Sequence, residues 1–400
     1  MQLNSENNLL KFCMVALCVS SVAAYFVLPL GSTTIWWMIR IGIFTILFVN
    51  RDKAFRPLPI MLWMALLVVS CVLGCFYCRD YWDWKQFINK IIAYTVCVAA
   101  LTACQPDVLQ KLLNYLYKYI WVLFLLLVLV MTSTGIGKFL IPFSFLALFY
   151  PLLNPKSKWS IWIALVLTIV LGTDSRSDIL KMLVCVLLGI FMTHQRFHRY
   201  MKKWYWLFFV LPFVLFMLAA NHTFNIFEVG NNLIDVEESG SNLDLSDTRT
   251  LLYEEVIASA LERHTVYFGV TPAGTYRSEW LIRNMDFSDI MGDIHYGERG
   301  GTESSVLNVF LHFGVLGVII YLLLFLSASY LAINKSNSIY MILIGFYVAF
   351  RFMMGWVEDI INLDVNMFLL WAMIGMCYSP AFREMTDEEF CDWFDGVLIK

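Results

Sequence analysis

Charge is scarce in this sequence. Lys, Arg, Asp and Glu supply 15% of its 400 residues, while hydrophobic residues reach 60%. An ordinary soluble domain carries about 25% charged residues, so the composition excludes that class and points to a polytopic membrane protein. Alternating apolar and polar segments of about ten residues, the mark of a membrane β-barrel, are missing as well. What remains is continuous apolar runs of about span length. The expected fold is an all-α transmembrane helical bundle.

Other absences narrow the function. The formal net charge is −3 and the basic residues are scattered, so no nucleic-acid partner is expected. There are ten cysteines, but Cys13, Cys18, Cys71, Cys75, Cys97, Cys185 and Cys377 fall in apolar runs. Residues 221–302 contain none, which excludes a disulfide framework and a cysteine-ligated zinc there. No internal repeat stands out, which counts against transporters built from two related halves. The run Phe12–Leu30 after Lys11 is long for a signal core and lacks a small-x-small site, so it reads as a retained first span.

Apolar runs occur near 11–30, 33–49, 58–77, 87–104, 119–133, 139–153, 159–172, 179–193, 204–220, 304–332, 339–356 and 360–378, predicting about twelve helices. Arg51, Lys53 and Arg56, then Lys111 and Lys118, then Lys156 and Lys158, then Arg196, Arg199, Lys202 and Lys203 occupy alternate short loops. The positive-inside rule makes that side cytoplasmic, places both termini there, and turns residues 221–302 outward. The expected organisation is transmembrane helices over 1–220, an external loop with an amphipathic helix over 221–303, transmembrane helices over 304–378, and a cytoplasmic tail over 379–400.

The loop opens on Asp235, Glu237, Glu238, Asp244 and Asp247. Their spacing matches no calcium loop, so a solvated linker is expected and no metal or cofactor. Ser246-Asp247-Thr248 can cap a helix whose apolar positions are Leu252, Val256, Ile257, Ala260 and Leu261, with Glu254, Glu255, Glu262 and Arg263 on the polar face.

Three helix starts on the outer side carry an arginine. They are Thr173-Asp174-Ser175-Arg176-Ser177-Asp178, Ser246-Asp247-Thr248-Arg249, and Arg299-Gly300-Gly301-Thr302-Glu303, where Thr302 is the expected cap. A helix N-terminus presents unpaired amides and partial positive charge to an anion. Arginine adds a permanently charged planar fork that grips phosphate oxygens bidentately. The pattern suits a diphosphate, held by Arg176, Arg249, Arg299, Arg351, Ser175 and Ser177. Arg176 and Arg249 also have a simpler reading, as partners of nearby carboxylates. For a base that takes a proton from an attacking hydroxyl, Glu303 and His295 are the best placed. Glu303 is equally explained as a carboxylate favoured by the helix dipole.

Leu171-Gly172-Thr173-Asp174-Ser175-Arg176-Ser177 resembles the T-x-SR(S/G) element of the O-antigen polymerase and O-antigen ligase superfamily. Arg249 with Phe268-Gly269-Val270 is similar to that family's second loop arginine and G-x-G turn. The stretch from Glu303 to Gly317 resembles its HN-x-x-L…GxxG element. The resemblance covers residues 165–330. It implies a bundle of the glycosyltransferase C type acting on undecaprenyl-diphosphate-linked glycans, without nucleotide sugar or obligatory metal. Its paired arginines map onto Arg176 and Arg249. The donor and acceptor would both be lipid-linked oligosaccharides, with a flippase and a chain-length regulator as further partners in the bacterial inner membrane. Two departures stand out. The ligase branch has a histidine where this chain has Glu303, and the second turn glycine is replaced by Thr271. The expectation is therefore a repeat-unit polymerase. A ligase acting on lipid A core or protein is the alternative, and a flippase the rival from the transporter class.

Overall fold

The computed structural model describes residues 2–27, 32–172, 176–191, 194–221, 249–279, 282 and 297–398, and gives only the backbone of Arg176 and Arg249. The first half of the bundle comprises α1 (Gln2–Val22), α2 (Thr33–Val49), α3 (Leu58–Cys75), α4 (Tyr81–Tyr94), α5 (Val98–Ala103), α6 (Pro106–Leu127), α7 (Ser133–Leu140) and α8 (Phe143–Leu148). There follow α9 (Pro155–Leu171), α10 (Arg176–Phe191), α11 (Gln195–Trp204), α12 (Leu207–Ala220) and α13 (Arg249–Glu262). After a two-stranded hairpin, β1 (Tyr276–Arg277) and β2 (Glu298–Arg299), come α14 (Ser305–Asn334), α15 (Ile339–Met354), α16 (Val365–Tyr378), α17 (Pro380–Glu384) and α18 (Asp387–Asp395).

The starts obey local chemistry. Asp80 accepts from the amides of Trp82 and Asp83 to open α4, Asn154 accepts from Ser157 to open α9, and Asp364 accepts from Met367 to open α16. Pro106 and Pro155 stand in the first turns of α6 and α9, where a missing amide hydrogen costs nothing.

Among the described residues five helices are long and apolar enough to cross a membrane, six if Arg196–Trp204 and Leu207–Ala219, bent by 48°, count as one span. Three shorter apolar helices, α2, α15 and α16, complete the apolar set. The expected span over 139–153 is not one helix: α7 ends and α8 begins around Ile141-Pro142, where proline breaks the ladder. Residues outward on α3, α6 and α12 (Val69, Val72, Val122, Leu125, Val214, Met217) are exposed and apolar, as a lipid-facing surface requires. By contrast every residue of α16 is buried, so this helix forms the bundle's axis.

The tail expected over 379–400 packs back onto the helices. Phe390, Trp393 and Phe394 of α18 are buried, the Trp393 indole donates to Pro106 at 2.9 Å, and Ser338 donates to Asp387 at 2.8 Å.

The most informative departure from regular structure lies in α14. Gly314 has φ 65° and ψ −163°, which breaks the helix inside a single apolar run. In an intact helix Val315 and Leu316 would donate to Leu311 and His312. Instead the loop segment Val266–Thr271 lies against the break. Val315 donates to Val266 at 2.8 Å and Leu316 to Tyr267 at 3.2 Å, while Val270 donates to Leu311 at 2.8 Å and Thr271 to His312 at 3.0 Å. A break at membrane depth is tolerable only when its polar groups are satisfied in this way. The loop is thus a strap that replaces part of a helical turn.

Thr271, where the resembling motif has its second glycine, carries φ 62°. A β-branched residue there is strained, and its buried hydroxyl has no hydrogen-bond partner among the described residues. Thr271→Gly is therefore expected to stabilise the protein by about 1 kcal/mol, read as a rise in melting temperature in detergent.

Candidate functional site

The starts of α10, α13, α14 and α16 and the end of α15 meet at one end of the bundle, around residues 355–364. Ser304 caps α14, its hydroxyl accepting from Leu307; Thr302, the expected cap, sits two residues earlier. The amide of Ser305 donates to Glu358 and that of Val306 to Gly355, both at 3.1 Å. These amides are consequently occupied by protein, and the start of α14 is no open phosphate site, contrary to expectation. The carboxylate Glu303 stands just outside it, 65% exposed, with its oxygen 3.8 Å from the guanidinium of Arg299.

Two polar residues one turn apart on α14 seat that segment. The Asn308 side chain accepts from the Thr302 amide at 2.6 Å and donates to the Thr302 carbonyl at 2.9 Å. His312 lies 2.7 Å from the Tyr94 hydroxyl through Nδ1 and 3.1 Å from the Gly300 carbonyl through Nε2. Beside them Lys90, expected within the fourth span, donates to the Gly274 carbonyl at 3.4 Å. Gly300 lies directly against the side-chain tips of Gln86 and Lys90, which would have to move aside for a Cβ there. Arg299 and Glu303 are positioned by this packing.

The start of α13 is tied to the same place. Tyr253, one turn after Arg249, lies 3.0 Å from the Ser304 hydroxyl, donates to Trp356 at 2.7 Å, and stacks on the Trp356 ring within 8°. The helix buries Leu252 and Val256 against Tyr276, Leu307 and Leu311. Glu255, expected on the polar face, is also buried.

The start of α10 is tied through charge. Lys181, five residues after Arg176, is fully buried, with its ammonium 2.5 Å from Asp178 and 2.5 Å from Glu358. Glu358 takes the hydrogen bond and Asp178 is held by charge. Arg351, expected with the diphosphate-binding set, is 1% exposed. It bonds Tyr347 at 3.4 Å and Asn366 at 3.1 Å, so it lies beneath the site. Burial opposes ionisation of Glu358, but Lys181 and then Arg351 outweigh it and hold the carboxyl below its ordinary value.

The neighbouring Asp359 behaves oppositely. The residue as a whole retains solvent exposure, but the surrounding walls desolvate its carboxyl, and this burial pushes its pKa up to about 6 against the opposing bond from the Ile361 amide. It accepts from Ser305 at 3.4 Å. A raised carboxyl disfavours the folded state where it is ionised: the penalty is absent below the ordinary aspartate pKa of 3.8, grows as pH rises, and is complete above 6. Asp359→Asn is accordingly expected to raise the melting temperature more at pH 7.5 than at pH 5.

Ser177 lies half-buried in the first turn of α10. Ser175, His295, the acidic stretch Asp235–Asp247 and the Ser246-Asp247-Thr248 cap lie outside the described residues. Among the described residues no group of three or more His, Cys, Asp or Glu is arranged to hold a metal. Lys181, Glu358, Asp359, Asn308 and His312 escaped sequence reasoning. Their signal was an ionisable or amide side chain within, or at the margin of, an apolar run.

The fold and site define a polytopic helical membrane protein with several helix starts and a charged cluster gathered at one end. Residues 161–322 match the family model described as O-antigen ligase. This segment spans the starts of α10, α13 and α14 and the strap, and its match supports a relationship to the O-antigen ligase and polymerase superfamily. A comparison with curated proteins gives no match.

Proposed function

We propose that this protein polymerises undecaprenyl-diphosphate-linked oligosaccharide repeats into a surface polysaccharide at the outer face of the bacterial inner membrane. One observation carries the reading: Lys181 of α10 meets Glu358, and Tyr253 of α13 meets Ser304 next to the exposed Glu303, so the helices that begin at Arg176 and Arg249 are both tied to the end of the bundle where Glu303 stands. In this reading Arg176 and Arg249, aided by Ser175 and Ser177, grip the donor diphosphate, and Arg299 stands at its edge. Glu303 takes the proton from the acceptor hydroxyl as that oxygen bonds to the anomeric carbon of the donor. In the same step the carbon–oxygen bond to the diphosphate breaks, and the lipid diphosphate leaves with its charge stabilised by the arginines. The buried Arg351 serves indirectly, by sustaining the charge of Glu358.

Arg176→Ala, Arg249→Ala and Glu303→Ala, each produced in a host lacking the chain, are expected to reduce the polysaccharide from a ladder to a single attached repeat at unchanged membrane levels of protein. Losing one such charged group typically costs a factor of about 10²–10³ in rate. The family model's description favours a second reading, a ligase that delivers glycan to lipid A core or protein. Its signature on the same gel is complete absence of attached repeats.

A further inference from the structure

At the end of the bundle away from the site, α11 packs at an angle of 48° to the span that follows it. We propose that α11 is a docking surface for the anionic headgroups of the adjoining bilayer leaflet. Its sequence, Gln-Arg-Phe-His-Arg-Tyr-Met-Lys-Lys-Trp, holds no acidic residue. At roughly 100° per residue, Arg196, Arg199, Lys202 and Lys203 fall on one arc of about a third of the helix circumference, and all of them are exposed. Tyr200 and Trp204 flank that arc, 59% and 43% exposed. The opposite side carries Met201, 1% exposed, and Phe197, whose ring lies 5.6 Å from that of Phe191. Basic outer face, aromatic flank and apolar inner face are the three parts of a helix lying in a membrane interface.

Two further observations fix the occupant as lipid. The chain turns directly from Trp204-Tyr205-Trp206 into α12, whose Val210, Leu211, Val214 and Met217 are exposed and apolar, so the basic arc begins where the lipid-facing surface ends. The indoles of Trp204 and Trp206 stack at 6.4 Å, and the Lys203 ammonium lies 5.1 Å from the Trp204 ring centre, as expected at headgroup depth. Among the described residues no carboxylate lies within ion-pair distance of the four cations. Their charge is complementary to lipid phosphates, each attracted to an anionic surface.

Native mass spectrometry of the full-length protein in detergent, titrated separately with phosphatidylglycerol and phosphatidylcholine, tests this independently of any glycan. The wild type is expected to bind phosphatidylglycerol at least about tenfold more tightly. The variant Arg196→Gln, Arg199→Gln, Lys202→Gln, Lys203→Gln is expected to bind both lipids alike at an unchanged melting temperature. If that variant does not fold, the pair Arg196→Gln, Lys203→Gln is expected to lose part of the preference. A control variant with Lys53→Gln, Arg56→Gln, Lys111→Gln and Lys118→Gln keeps the preference. The proposal falls if the wild type shows none, if the α11 variant retains it, or if the control loses it equally.

Discussion

Lys181→Met is expected to remove most of the folded protein from the membrane. The Lys181 ammonium is fully buried between Asp178, 1% exposed, and Glu358, 11% exposed. Without it two carboxylates face each other in a low dielectric. Breaking a buried ion pair from one side costs about 3–5 kcal/mol, a large share of the roughly 5–15 kcal/mol that holds a typical protein folded. Fluorescence-detected size-exclusion of the detergent extract, together with a thermal melt, measures the effect. Removing the three charges of this cluster together should be milder, because well-packed neutral groups replace buried ion pairs at little cost. Lys181→Met combined with Asp178→Asn and Glu358→Gln is therefore expected to recover folded yield. It should still make short polysaccharide, since the tether from α10 to the start of α14 is gone. A single variant that folds like the wild type would show that this pair is not the tether.

The sequence made the helices legible and left the joints between them hidden. Apolar run length suffices to place α3 or α6, because lipid demands that every backbone group be satisfied within the segment. It cannot reveal that Lys181 meets Glu358, since the partners stand 177 positions apart. Arg176, Arg249 and Glu303 drew attention because each sits at a helix start, where local chemistry is informative. Asn308 and His312 did not, although polar residues four apart on one helical face inside an apolar run are a signal in their own right. The expected open amides at the start of α14 failed for a related reason. Only tertiary contact discloses that the carbonyls of Gly355 and Glu358 occupy them. The third place of the loop turn was read as a missing glycine, and the structure shows why that place matters: Thr271 adopts the left-handed backbone that glycine would take without strain.

Gly314→Ala is expected to abolish polymer formation and to destabilise the protein severely. Gly314 and Gly269 are the two halves of one joint. A Cβ on Gly314 would strike the backbone of Tyr267 and Phe268, and one on Gly269 would strike the backbone of His312 and Phe313. Main chain cannot swing aside as the tip of a side chain can. Both glycines also have positive φ, 65° and 70°, which adds about 1–2 kcal/mol of strain to any other residue. With about 1–3 kcal/mol for overpacking, either substitution should cost about 2–5 kcal/mol and lift the strap off α14. The amides of Val315 and Leu316 would then lose Val266 and Tyr267 as acceptors. His312, whose carbonyl receives Thr271 and whose ring meets the Gly300 carbonyl, would no longer fix Arg299 and Glu303. The double variant decides whether this joint is real. If Gly269→Ala and Gly314→Ala open the same contact, the second costs little once the first is made, and their combined effect falls well short of the sum. Additivity to within about 0.5 kcal/mol would mean that the strap and the helix break are independent, and that the route from the loop to Glu303 runs elsewhere.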